Sequence, residues 1–480
     1  EHLAEASVAV GVVLDVVGAV VVRVAVHVSS GVSMPRPDGV RPLSAAGPSW
    51  PLRRRAPVAR VPAMTRHNDG PQGFRAVPRT GVIYVMSRAA EKGYRPGDPA
   101  WANLGQGAPE TGALPGAPER LTTIHVDNDD HEYAPVDGLP ELRDAVATLY
   151  NERYRQGRSS QYTRENVAIS AGGRTALTRI VSTFGRSNVG HFLPDYTAYE
   201  ELLGTFGTFV SIPITLDADR QYAFSASQLH DEILDRGLST FLLSNPGNPT
   251  GKLLHGEALA DWVRVARELH CTMVVDEFYS HYAYTGDSLS VSAAAAVVDV
   301  NEDPVIIVDG LTKNWRYPGW RVAWTVGPKH LISQLGSAGS FLDGGCARPM
   351  QRAAIQLLRR EVADAEARAL QRAFRAKRQR LLEGLESLGI LVNLPPQGGF
   401  YCWGDLRRLP KGLQTGMDLF ERALDYGVIV VPGEFFDINP GHRRPERPGR
   451  FEHFARFSFG PSMESLETGL EGLRRLINGS

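Results

Sequence analysis

A lysine, an aspartate and an asparagine each stand just beyond a short apolar run. Lys313 follows the run Pro304 to Val308, which reads as a buried parallel strand. An amine placed there lies at the carboxyl edge of a sheet, where open α/β folds bind ligands. Partial desolvation lowers its pKa and favours Schiff-base chemistry. Asp276 follows the strand-like Thr272 to Val275, and a carboxylate at that edge can pair with a buried cation. Asn245, Pro246, Gly247, Asn248, Pro249, Thr250 and Gly251 end a third run, Ser239 to Ser244, and Asn248 can donate its amide to an oxyanion. Taken singly, each has a plain structural use: a solvated lysine, a helix N-cap, a proline–glycine turn.

Further polar groups recur at similar places. Val167 to Leu177 reads strand, glycine turn (Gly172, Gly173, then Arg174) and helix, a pattern that lets backbone N–H groups approach an anion. Tyr196 stands in His191 to Tyr199, and Tyr279 follows Asp276 by three residues. Thr312 precedes the lysine, and Arg321 lies in Gly319 to Val322. Asn103 to Glu110 is a glycine-rich turn containing Gly107; Tyr133 precedes the turn at Gly138; Arg456 lies in the short strand-like Ala455 to Phe459.

In this order the motifs resemble the fold-type I pyridoxal-phosphate enzymes, in particular the class I/II aminotransferases. The resemblance runs from about Leu104 to the C-terminus. It implies an α/β fold: a large mixed, mostly parallel seven-stranded-type sheet domain and a smaller α+β domain. It also implies pyridoxal 5'-phosphate bound to Lys313 as a Schiff base, with Asp276 on the pyridine nitrogen and Tyr196 stacked on the ring. Tyr279 and Asn248 would meet the phenolate oxygen, while Gly172, Gly173, Arg174, Thr312 and Arg321 would hold the phosphate. Gly107, Asn248 and Arg456 would meet the substrate, Arg456 by its α-carboxylate. Many relatives carry a serine where Gly310 stands. Tyr133 would reach the phosphate of a neighbouring subunit, which implies a homodimer with shared active sites.

The reaction so implied moves the amino group of an L-amino acid to a 2-oxo acid through a quinonoid intermediate. The alternative is another reaction on the same fold: a lyase, a cyclase, or an oxygen-using oxidase or hydroxylase, on a basic amino acid such as arginine. Non-enzymatic use of the fold ranks last, since every expected chemical residue is kept. No arginine lies between Lys329 and Ala347, which disfavours a dicarboxylate donor. Asp343, with Asp127, Asp129 and Asp130, would suit a basic side chain if both stretches line the entrance across the dimer, although a solvated acidic turn is the better reading of the second.

The elements that position these groups follow from length and pattern. A chain of 480 residues calls for two or three domains. The expected division is an extension over residues 1–63, an arm and part of the small domain over 64–119, a large cofactor-binding domain over 120–345, and a linking helix with the small C-terminal domain over 346–480. The extension is expected to be disordered: Ala6 to Val28 is interrupted by Asp15, Arg23 and His27, Pro35 to Pro62 has no hydrophobic period, and Met34 and Met64 offer later starts. Pro140, Leu142, Ala145, Val146 and Leu149 predict a helix, Met350 to Leu388 a long one, and Phe400 to Trp403 and Val428 to Val431 strands. A net charge of −1 supports neither nucleic-acid nor membrane partners. Cys271, Cys346 and Cys402 have no paired spacing, so no disulfide framework and no metal site are expected, and a cytoplasmic location fits.

Overall fold

The structure is a computed structural model that describes residue 77 and residues 81–444 and 449–479; the expected extension over residues 1–63 lies outside the described residues. Residues 77–480 form one compact unit. In chain order the strands are β1 (Ala102–Asn103), β2 (Val167–Ser170), β3 (Asn188–Leu193), β4 (Val210–Thr215), β5 (Leu238–Ser244), β6 (Thr272–Asp276), β7 (Val305–Gly310), β8 (Ala323–Val326), β9 (Tyr401–Asp405), β10 (Val428–Ile429), β11 (Val431–Pro432) and β12 (Phe454–Ser458). The helices are α1 (Gly81–Glu91), α2 (Pro140–Tyr154), α3 (Gly173–Ser182), α4 (Tyr199–Thr205), α5 (Ala226–Arg236), α6 (Gly256–Glu268), α7 (Lys329–Leu342), α8 (Arg348–Ile355), α9 (Arg360–Ser387), α10 (Gly416–Leu424) and α11 (Met463–Asn478).

Seven strands form the large sheet in the order β2-β8-β7-β6-β5-β3-β4, parallel except for β8, which runs against both neighbours. Its central strands are apolar on both faces because helices cover both. Val274, Ile306 and Val308 pack with Ala176, Leu177 and Ile180 of α3, whereas Met273, Val275 and Ile307 pack with Val146, Trp262 and Val263 of α2 and α6. That alternation is the two-residue period of a strand. In-register pairing brings Ser244, Asp276 and Val308 side by side, so the segments that follow them emerge at one edge.

The smaller layers are the antiparallel sheet β11-β12-β9 and the parallel pair β1-β10. Two expectations need correction. The helix expected over Met350 to Leu388 is broken: α8 ends at Ile355, and Arg359 is extended (φ −60°, ψ 135°) before α9 begins. The strand expected over Val428 to Val431 is two short strands that belong to different sheets. Among the described residues, no helix is long and apolar enough to cross a membrane.

Candidate active site

The candidate residues Asn248, Asp276 and Lys313 lie at or just past the ends of β5, β6 and β7. Gly310 closes β7 against β8 so tightly that a Cβ there would lie 2.7 Å from Ala323 Cα. Lys313 follows in the connecting loop, and its Nζ donates to the carbonyl of Gly107. Burial pushes the Lys313 ammonium down to about 7, helped by the guanidiniums of Arg456, Arg174 and Arg321 and opposed by Asp276. Asn314 fixes the loop behind it: its amide donates to Asp309 Oδ1 (2.8 Å) and Ser280 Oγ (2.9 Å), and its oxygen accepts from His281 N (3.0 Å).

Asp276 ends β6. It accepts from Tyr199 OH at 2.9 Å and from Phe278 N at 3.3 Å. Burial still pushes its carboxyl up to about 6, the expected cost of a carboxylate without a full counter-charge. Next to it, Ser244 of β5 donates to Asp195 at 2.5 Å and accepts from Asn248 N at 3.0 Å. Asn245 closes a ring with Leu254, one 2.9 Å bond in each direction, and so holds the turn that presents Asn248. Asn248 Oδ1 accepts from Arg456 Nη1 at 3.0 Å, and Arg456 Nη2 donates to Gly105 O at 3.0 Å. Arg456 is buried, its guanidinium lies 4.1 Å from the Tyr401 ring centre, and its Nε has no partner.

The opposite end is cationic. Gly172 has φ +92°, and any Cβ there would collide with the Arg321 guanidinium, so only glycine lets this arginine cross the N-terminus of α3. Arg321 Nη1 lies 3.5 Å from Thr312 Oγ1, and Arg174 donates to Tyr196 OH at 3.3 and 3.2 Å. Two guanidiniums beside free helical N–H groups form an anion cradle.

Gly107, Gly173, Arg174, Tyr196, Asn248, Asp276, Tyr279, Thr312, Lys313, Arg321 and Arg456 all line one cavity of about 500 Å³. Two of the expected residues do not line it. Gly172 acts behind the wall, through Arg321. Tyr133 is 93% exposed, in a separate surface groove with Asp127 and Arg352. Within one chain Asp343 pairs with buried Arg179 (2.5 and 2.8 Å), while Asp127 and Asp130 pair with Arg352 (2.5 and 2.8 Å). Those carboxylates are already neutralised, and none lines the cavity.

Four contributors escaped the sequence reading. Tyr401 meets Tyr279, hydroxyl to hydroxyl, at 2.9 Å; Tyr199 supports Asp276; Asp195 and Ser244 connect the ends of β3 and β5. Only Tyr199 carried a signal, an additional tyrosine three residues after Tyr196.

The donor set fits pyridoxal phosphate. The arginine cradle suits its dianionic phosphate, the buried carboxylate suits a protonated ring nitrogen, and a depressed-pKa amine lies in the same cavity.

The family model described as aminotransferase class I and II matches residues 99–473. The aspartate/prephenate aminotransferase of Thermus thermophilus is 28% identical over 350 residues, which is 72% of this chain and 83% of that protein. The arginine–pyruvate transaminase of Pseudomonas aeruginosa is 30% identical over 321 residues, 65% of this chain and 77% of that protein. Among solved structures, the N-succinyldiaminopimelate aminotransferase of Mycobacterium tuberculosis superimposes with a TM-score of 0.69 at 23% identity, over 84% of this chain and 100% of that one, which is a likeness of fold.

Proposed function

The chain belongs to the class I and II aminotransferases, and on that premise we propose that Lys313 is its reactive lysine and Arg456 its substrate clamp. The protein is a pyridoxal-phosphate-dependent transaminase of fold type I that moves an amino group from an amino acid to a 2-oxo acid. The relatives it resembles carry aminotransferase names, which disfavours the lyase, cyclase and oxidase alternative.

The observation that carries the residue assignment is the convergence of a lysine held near pKa 7, a buried aspartate and three arginines on one cavity. When bound, the cofactor supplies an electron sink for negative charge that develops at the substrate Cα. In this reading Lys313 would hold it through Nζ, Asp276 would keep its ring nitrogen protonated and Tyr196 would cover the ring. Asn248 and Tyr279 serve its phenolate oxygen, and Gly172, Gly173, Arg174, Thr312 and Arg321 serve its phosphate. Arg456 grips the substrate α-carboxylate and so fixes the direction of the Cα–H bond. Once the incoming amino group had displaced it from the cofactor, Lys313, whose burial lowers its pKa to about 7, would take that proton at Nζ.

The domain bounds at 119/120 and 345/346 belong to the same reading, as do a homodimer in which Tyr133 enters the neighbour's site and a cytoplasmic location. The exposure of Tyr133 supports the dimer, and three unpaired cysteines support a reducing compartment. Borohydride reduction of the holoenzyme followed by peptide mapping tests the central assignment. The phosphopyridoxyl label is expected on Lys313; a label on another lysine, or undiminished labelling of K313A, would remove it.

A further inference from the structure

The segment Gly105 to Gly112 crosses the cavity without regular secondary structure, and Gly107 and Ala108 form part of its lining. A buried segment of this kind must find partners for its backbone groups elsewhere. Its near end is held by main chain and by the clamp: Ser458 N donates to Leu104 O at 2.6 Å, and Arg456 donates to Gly105 O at 3.0 Å. At the far end, Glu110 N reaches Gly460 O at 2.8 Å, and the Glu110 and Gly112 carbonyls accept from one side chain, Arg316 Nη1, at 3.3 and 2.5 Å.

Arg316 is fully buried and three residues past Lys313. Its backbone adopts φ +60°, a region that non-glycine residues occupy sparsely, and its N–H donates to Lys313 O at 3.1 Å. Its Nε donates to the buried Glu366 of α9 at 2.6 Å. Arg120, beyond the crossing stretch in sequence, grips the Trp315 and Arg316 carbonyls (2.9 and 2.7 Å), stacks 3.5 Å from the Tyr317 ring centre and lies 3.9 Å from Glu366. A buried ion pair of this kind adds little net stability, because desolvation offsets its attraction, and apolar replacements of similar volume often fold as well. What the pair does supply is a fixed direction for one guanidinium that joins three separate chain segments.

We propose that Arg316, aimed by Glu366, is a positioning residue that sets the height of the Gly105–Gly112 strap over Lys313 and, through Gly105, the grip of Arg456 on the substrate carboxylate. The proposal rests on the reading of Lys313 and Arg456 given above. It requires that a loosened strap weaken substrate capture more than turnover, since Arg316 itself lies behind the cavity wall.

The test uses the full-length holoenzyme and two variants, R316M/E366L and R316K. The double variant removes both charges of the closest pair together; Arg120 loses Glu366 as a neighbour but keeps its two main-chain carbonyls. It is expected to keep its thermal midpoint within a few degrees, to raise KM for the amino donor about tenfold or more and to change kcat less than about threefold. Amide exchange across residues 105–112 of the same holoenzyme is expected to accelerate. R316K keeps a charge for Glu366 but cannot also serve two carbonyls, so its KM is expected to fall between wild type and double variant. A stable double variant with wild-type KM and wild-type exchange would overturn the proposal. If the double variant does not fold, R316K decides: an unchanged KM overturns the proposal and a raised KM supports it. Borohydride trapping on Lys313 in the wild type separates failure here from failure of the underlying reading.

Discussion

The floor and the roof of the cavity are held in place by different means. The floor (Asp276, Lys313 and Asn248) hangs from the ends of adjacent strands, so main-chain register sets its spacing. The roof (Gly105 to Gly112, with Arg456 and Tyr401 beside it) joins elements more than two hundred residues apart in sequence, largely through side chains. Register is shared among many hydrogen bonds and changes only as a whole. A side-chain fastening changes with one substitution. Under the proposed assignment, chemistry sits on the part that cannot drift, and substrate capture on the part that can be adjusted.

Substitutions can break this contrast, and the largest effect belongs to the floor. K313A is expected to lower kcat by more than about 10⁴-fold, because it removes nucleophile and proton carrier together; steady-state turnover measures it, and a loss confined to KM would erase the distinction. D276A comes next, at roughly 10²–10³-fold in kcat, the usual effect of deleting one preorganised charge partner. On the roof, R456A should instead raise donor KM by roughly 10- to 100-fold, the range for charge-assisted hydrogen bonds, with R456K milder.

Titration offers a finer comparison within the floor, in cofactor-free protein. Lys313 is held at about 7 against an ordinary 10.5, so between those values the unfolded chain carries a proton that the folded chain lacks, and stability rises with pH. Asp276 is held at about 6 against 3.8, so across that window the folded chain carries the extra proton and stability falls as pH rises. Denaturant midpoints against pH should show K313M flattening the alkaline limb and D276N the acidic one, each by up to about 1.4 kcal/mol per pH unit. The smallest expected effect is that of Y199F, which removes one 2.9 Å bond to Asp276 and should cost about 1 kcal/mol, seen as a several-fold lower kcat. An effect of Y199F on KM alone would move Tyr199 to the roof.

The same contrast explains what could be read from the chain. Floor residues announce themselves, since a polar side chain directly after a buried apolar run has one place to be, the sheet edge; Lys313, Asp276 and Asn248 were all placed that way. Roof residues have no such local signature. Arg316 and Glu366 lie fifty residues apart, and nothing near either marks them as partners. Tyr401 reads as an ordinary strand residue until the fold brings Tyr279 to its hydroxyl. Asp343 is a similar case: the buried Arg179 that pairs with it sits 164 positions away, and nothing near Asp343 marks that partner. The break at Arg359 escaped because the apolar spacing continues through it, and only its extended backbone betrays the interruption.

The antiparallel placement of β8 beside β7 has a consequence for how such a centre can be altered. The chain leaves β7 at Gly310 and returns on β8 at Ala323, so Lys313 and Arg321 share one stretch pinned at both ends by the same ladder. Their separation is then fixed by the number of peptide units between two anchors, as the span of an arch is fixed by its count of stones. Side chains on that stretch can be exchanged one at a time, but an insertion or deletion within it would reset the distance between amine and cradle in a single step.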